Sequence, residues 1–233
     1  MKYGQFCPVA KASEILGERW TLLIIRDLLR GVSRFNEFQR NLSVISPTLL
    51  NKRLKSLEEQ GLIFKKAIPG QRRSEYQPTA MCKELGPVVM SLGEWGMRWA
   101  RGQMNENELD VELLMSAMKD SFDRTQLPSG QTVVHFQYPE LNQFSRWWIT
   151  AKDQEEVDLC CDDPGLDVDI FITADLRSMV EVHMGDQTLR AAREAGKIRV
   201  QGPPALLKNI SSWLGLNPFA GIKPEPQTIE NAF

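Results

Sequence analysis

The run Ser46-Pro47-Thr48-Leu49-Leu50-Asn51-Lys52-Arg53-Leu54-Lys55-Ser56-Leu57-Glu58-Glu59-Gln60-Gly61-Leu62 announces both of its own ends. A serine before a proline is a strong helix start: the hydroxyl accepts from an orphan N–H, and proline lacks an N–H to lose. Gly61 supplies the stop, and Leu62 is the apolar residue that usually follows such a cap. Between them Leu50, Leu54 and Leu57 fall at i, i+4 and i+7, one face of a helix over residues 47–60. The opposite face then carries Thr48, Asn51, Lys52 and Lys55.

Upstream, Phe35, Phe38 and Leu42 form a second apolar stripe behind Ser33, read as its N-cap. Two short helices with a tight link at residues 43–45 make a helix-turn-helix pattern. Residues 19–29 are almost wholly apolar (Trp20, Leu22, Leu23, Ile24, Ile25, Leu28, Leu29) and predict a buried spine. Residues 8–16 predict a first helix, opened by Pro8 and closed by Gly17. Downstream, residues 62–68 and 74–78 read as two strands around a Pro69-Gly70-Gln71-Arg72-Arg73 turn. A hairpin directly after the second helix of such a pair is a wing, so the first fold class is a mainly α winged helix-turn-helix.

These features predict contact with double-stranded DNA. A helix fits the major groove and usually reaches base edges with its N-terminal residues. Asn51 is suited to adenine, Thr48 to a thymine methyl, and Ser46 opens the helix. Lys52, Arg53 and Lys55 are expected on phosphates, with Arg34 at the start of the preceding helix as a further anion site. Arg72 and Arg73, at the wing tip, either enter the minor groove or grip its phosphates. The plainer reading is a solvated face on a winged helix that meets only proteins.

The charge distribution favours the nucleic-acid reading. The whole chain, 233 residues with a net charge of −2, hides a split. Residues 1–104 hold 17 Lys+Arg against 9 Asp+Glu, whereas residues 105–233 hold 11 against 21. One half is fit to meet a polyanion and the other is not. We therefore divide the chain into a winged helix domain with a dimerisation helix, residues 1–104, and a second domain, residues 105–233. No run approaches the ~18 apolar residues of a membrane span, and no signal peptide opens the chain, so a cytoplasmic protein without membrane contact is expected. Enzyme and metal chemistry lack their parts. Cys7, Cys82, Cys160 and Cys161 have no metal spacing, and His135 and His183 sit in strand-like apolar runs as structural histidines. No phosphate-binding glycine loop or nucleophile elbow occurs. No cofactor is expected.

With these residues in place, the first hundred residues resemble the HxlR-type transcriptional regulators, a winged helix branch close to the MarR group. The resemblance rests on Cys7-Pro8-Val9-Ala10, Leu16-Gly17-Glu18-Arg19-Trp20-Thr21-Leu22-Leu23-Ile24, Arg34-Phe35-Asn36-Glu37-Phe38, Ile45-Ser46-Pro47-Thr48-Leu49-Leu50 and Arg53-Leu54-Lys55-Ser56-Leu57-Glu58-Glu59-Gln60-Gly61-Leu62-Ile63. It implies a homodimer on a pseudo-palindromic operator. It also implies dimerisation through a terminal helix, here residues 85–101 with Val88, Leu92, Trp95 and Trp99. Cys7 matches a cysteine that senses oxidants or electrophiles in some members, which gives an alternative, thiol-based form of control.

Residues 105–233 predict an α+β domain, an antiparallel sheet backed by helices. Strands are expected near residues 132–138, 144–150, 157–161, 167–173 and 197–200, and helices near 109–122, 174–180, 188–195 and 204–214. The stretch from Val168 to Leu214 resembles the sterol carrier protein 2-like domain. It does so through Asp169-Ile170-Phe171-Ile172-Thr173-Ala174-Asp175-Leu176, Ala191-Ala192-Arg193 and Gly196-Lys197-Ile198-Arg199-Val200-Gln201-Gly202. Gly185 is matched to that family's usual glycine before the helix. The resemblance implies a small apolar ligand as partner. The alternatives are a spacer and, in a different class, a lipid-handling protein.

Overall fold

The computed structural model describes residues 2–68, 70, 74–100, 108–153 and 155–225, and it divides into two units, Met1–Gly93 and Glu94–Phe233. In the first unit, α1 (Pro8–Leu16), α2 (Thr21–Leu29), α3 (Phe35–Asn41) and α4 (Pro47–Glu59) precede a hairpin of β1 (Ile63–Ala67) and β2 (Ser74–Pro78). Two further helices follow, α5 (Ala80–Lys83) and α6 (Gly86–Trp95), the latter running on into a π-helical turn, Gly96–Ala100. Ile24, Ile25 and Leu28 of α2 meet Phe38, Leu50, Leu54, Leu57 and Ile63 in one core. Each such leucine contributes about 2 kcal/mol by leaving water. The spine is buried on one face only: Leu23 is exposed and Leu22 and Leu29 are half-buried.

Ser33 is not the cap of α3. The helix starts one residue later, behind Arg34, and the Oε2 of Glu37 accepts from the N–H groups of both Ser33 (3.1 Å) and Arg34 (2.9 Å). One carboxylate oxygen thus satisfies both donors ahead of the helix, as in a capping box. The Ser33 carbonyl instead accepts from the Tyr76 N–H at 2.8 Å, tying α3 to the hairpin.

The second unit contains α7 (Val111–Ser121), β3 (Gln131–Gln137), β4 (Arg146–Lys152), β5 (Asp158–Cys160), β6 (Ile170–Ala174), α8 (Leu176–Met184), α9 (Leu189–Glu194), β7 (Ile198–Gln201), α10 (Pro204–Lys208) and α11 (Ile210–Leu214). Its sheet runs β5-β4-β3-β6-β7. The expectation of an antiparallel sheet needs correction, because the central β3–β6 pair is parallel while the other pairs are antiparallel. The alternation of apolar residues reports the buried face and is silent on strand direction. His183, expected in a strand, lies on α8.

Side chains alternate across the sheet. Val134, Phe136, Trp147, Ile149, Ala151, Ile170, Ile172 and Ala174 form one core with α7, α8, α9, α10 and α11. Trp147 and Trp213 are fully buried in it, and the indole N–H of Trp213 donates to the Leu206 carbonyl at 3.0 Å. All helical cover of this core lies on one side of the sheet.

Candidate nucleic-acid interface

The Ser46 hydroxyl accepts from the Leu49 N–H at 3.3 Å, and Pro47 occupies the first turn, so α4 begins where its sequence says. Leu50, Leu54 and Leu57 are buried, and Thr48, Asn51, Lys52 and Lys55 are all exposed on the opposite side. The link before α4 is stiff. Ile45 and Leu42 are buried, and the Gln39 side-chain amide donates to the Ile45 carbonyl at 2.6 Å. The exposed strip is therefore carried on a fixed helix, as a reader of base edges must be.

The cations sort into two groups. Lys52 makes no ion pair among the described residues, and Lys55 makes only a solvent-facing one, 3.7 Å from Glu59. Such an exposed pair is worth little and is readily exchanged for a phosphate. Arg53 is different. Its Nη2 lies 2.7 Å from a Glu18 carboxylate oxygen and its Nε donates to the Arg19 carbonyl at 2.9 Å. Arg34, likewise expected on phosphate, puts its Nη2 3.2 Å from Glu75 on β2. Since Glu37 takes the N–H groups at the start of α3, the anion site expected there is already filled by the protein's own carboxylates. Arg72 and Arg73 lie outside the described residues.

Arg53 has a structural task that explains its geometry. Trp20 starts α2 with φ of 78°, a left-handed conformation rare for a bulky residue, and the Arg19 guanidinium stacks on its ring at 5.0 Å. Holding a non-glycine residue there costs about 1–3 kcal/mol. Arg53 grips the two residues before it and fixes α4 to the start of α2. Arg53→Ala is expected to lower stability by about 1–2 kcal/mol, read in a urea melt, while Arg53→Lys recovers only part of it because the fork is lost. Equal stability of all three would remove this role. Glu18, Glu37 and Glu75 are the residues that sequence reading missed. Glu37 three residues after Arg34 was a legible capping signal, whereas Glu75 depends on the hairpin register.

The wing is anchored from both sides. Tyr76 packs edge-on against Phe38 with centroids 6.3 Å apart, Lys65 lies over the Tyr76 ring at 5.5 Å, and Lys65 reaches Glu58 of α4 at 3.3 Å. Cys82, inside α5, is fully buried, and burial pushes its thiol up, as suits packing. Cys7 is half-buried at the N-cap of α1.

Val88, Leu92, Trp95 and Trp99 are all exposed, and α6 buries no residue. The regular spacing read from sequence holds through Trp95. Trp99 lies in the π-helical turn that follows.

The description HxlR-like helix-turn-helix matches residues 15–104. Over 101 residues the chain is 37% identical to YvaP, an uncharacterised HTH-type transcriptional regulator of Bacillus subtilis, covering 42% of this chain and 94% of that one. An uncharacterised HTH-type transcriptional regulator of Mycobacterium tuberculosis is 40% identical over 89 residues, which cover 38% of this chain and 56% of the relative. The reduced form of the transcriptional regulator YodB from B. subtilis is a solved structure with 29% identity, covering 40% of this chain and 92% of that one, with a TM-score of 0.35. By its motifs, its winged helix geometry and its identity to YvaP, the chain belongs to the HxlR-like helix-turn-helix family.

Proposed function

We propose that the protein is a DNA-binding transcriptional regulator that works as a homodimer on a pseudo-palindromic operator. The observation that carries this is α4: a capped, internally buttressed helix showing solvent Thr48, Asn51, Lys52 and Lys55 in one strip. In a dimer the two strips enter successive major grooves about 34 Å apart. Asn51 and Thr48 meet base edges and Lys52 and Lys55 meet phosphates, with Arg72 and Arg73 of the wing beside them. Arg53 and Arg34 hold the reading head together and act on DNA through that.

Mobility shift against the DNA upstream of its own gene tests the reading. Asn51→Ala is expected to cost about 1–3 kcal/mol on the preferred sequence and little on others. Lys52→Ala and Lys55→Ala are each expected to weaken binding on all sequences and to reduce the salt slope by about 1. Binding to no duplex, or binding indifferent to all three changes, sinks the proposal.

Control through the second unit is part of the same proposal. The order β6, α8, α9, β7 supports a sterol carrier protein 2-like domain, with Gly196 and Gly202 at the ends of α9 and β7. Gly185 ends α8 in the left-handed region, with the Ala220 backbone packed where a side chain would stand. An apolar effector there acts only through different affinity for DNA-bound and released arrangements. The thiol alternative rests on Cys7, half-buried at the start of α1. Persistence of oxidant sensitivity in Cys7→Ser excludes it. No helix among the described residues is long and apolar enough to cross a membrane.

A further inference from the structure

The sheet of the second unit has a face that none of the helical core covers. The register places Trp148, His135 and Phe171 side by side on it, from β4, β3 and β6. The His135 ring stacks on Trp148 with centroids 4.7 Å apart and meets the Phe171 ring edge-on at 5.8 Å. Within the row Trp148 is buried, as are Val133 and Thr150 beside it on the same face, while Phe171 at the other end is 45% exposed. The Nε2 of His135 is buried and has no hydrogen-bond partner among the described residues.

Two cations flank the row on one side. Arg146 stands opposite Gln137, and Arg199 stands opposite Thr173, each two residues along its strand pairing from the aromatic row. Three strand spacings separate them, about 14 Å, within joint reach of two extended arginines. Both are exposed, and neither makes an ion pair among the described residues. Arg146 and, from the loop after β5, Asp163 both act electrostatically on His135. A stacking surface beside two unpaired guanidinium groups is unusual in a half of the chain with 11 Lys+Arg against 21 Asp+Glu.

We propose that this face binds a planar aromatic carboxylate, its ring on Phe171 and His135 and its carboxylate between Arg146 and Arg199. Aromatic surfaces prefer offset or edge contact with a flat ring, and guanidinium groups match a carboxylate with paired donors. The acidic surroundings disfavour a polyanion such as single-stranded RNA and leave a lone negative charge to the two arginines. Gln137, Thr173 and Gln201 rim the patch with polar groups, which does not suit a lipid tail. The site is separate from the helix-covered core, and it stands whether or not the first unit binds DNA.

The test is calorimetric titration of the full chain with 2-naphthoate, without DNA. Saturable binding at one site per chain is expected. Arg146→Gln with Arg199→Gln should weaken it about tenfold or more, and Phe171→Thr by a similar factor. Cyclohexanecarboxylate, with the charge but no aromatic ring, and 2-naphthylmethanol, with the ring but no charge, should both bind about tenfold more weakly. Failure to saturate in the low-millimolar range overturns the proposal. So does naphthoate binding that is untouched in the double arginine variant, whose changes are both at exposed positions. A labelled single-stranded RNA that binds tightly and is lost in the same variants overturns it in favour of a polynucleotide.

Discussion

Val88→Glu combined with Leu92→Glu is expected to yield a folded monomer whose affinity for an operator has fallen by about 10²–10⁴-fold. The two residues are a turn apart on α6 and stand 51% and 48% exposed. Neither contributes to the unit's buried core, so a charge there leaves the fold intact. In a dimer both would be covered, and two carboxylates in each half of an apolar contact would repel across the two-fold axis. A pseudo-palindrome bound by linked heads gains its affinity from the second head acting at high effective concentration. Each monomer would keep its α4 strip and hence residual, salt-sensitive contact with any duplex. Sedimentation equilibrium reads the assembly, and fluorescence anisotropy with labelled duplex reads the binding. A variant that remains dimeric places the interface elsewhere. A monomer with undiminished operator affinity removes the need for a dimer.

The apolar residues on α1 belong to the same argument. Val9 and Ile15 are exposed, α1 buries no residue, and Phe6 just ahead of it is 99% exposed. Helices α1 and α6 reach the unit's core through the partly buried Leu16 and Val89, and the apolar residues left exposed on both are what the proposed dimer would cover.

How much of this could be read from the chain follows from the range of each interaction. Helix α4 was legible to within one residue, because Ser46, Pro47, Gly61 and the leucine spacing are local signals. Hairpin β1–β2 was equally clear. The roles of Arg34 and Arg53 were not, because their partners lie 41 and 35 positions away, at Glu75 and Glu18. Composition marks an arginine as a cation and cannot say which anion it meets. In the second unit the strands were placed within a few residues by alternation. The parallel β3–β6 pairing was not, since it is made by a crossover and not by a turn. The row of Trp148, His135 and Phe171 arises only from that register. Read alone, His135 was a structural histidine, and its Nε2, buried and without a partner among the described residues, is what the fold adds.

Asp27 carries the second large expected effect, and here the size of the loss depends on what replaces it. The carboxylate is fully buried on α2, and Arg26 (2.8 Å) and Arg30 (3.7 Å) approach the same Oδ1. Burial pushes its pKa up, and the two arginines and Asn41 offset that only in part. Removing the group entirely, as in Asp27→Ala, leaves a hollow and strands Asn41 and the guanidinium groups. Breaking a buried pair costs about 3–5 kcal/mol, and the low end applies because both arginines still reach water. That is a large part of a typical 5–15 kcal/mol total. Asp27→Asn keeps the shape and the acceptor without the buried charge, so it is expected to lie within about 1 kcal/mol of the parent at neutral pH. The sign of the pKa shift sets the pH dependence. A carboxyl raised in the fold contributes most below its unfolded value of 3.8 and loses that contribution as pH rises through the folded value. The parent should therefore gain on Asp27→Asn as pH falls toward that range. Urea melts of the three proteins at neutral and acid pH read both effects. An asparagine variant as weak as the alanine one would show that the charge itself holds α2 to α3. Helix α3, against which α4 packs, would then rest on an ion pair, where the packing described above makes it rest on apolar contact.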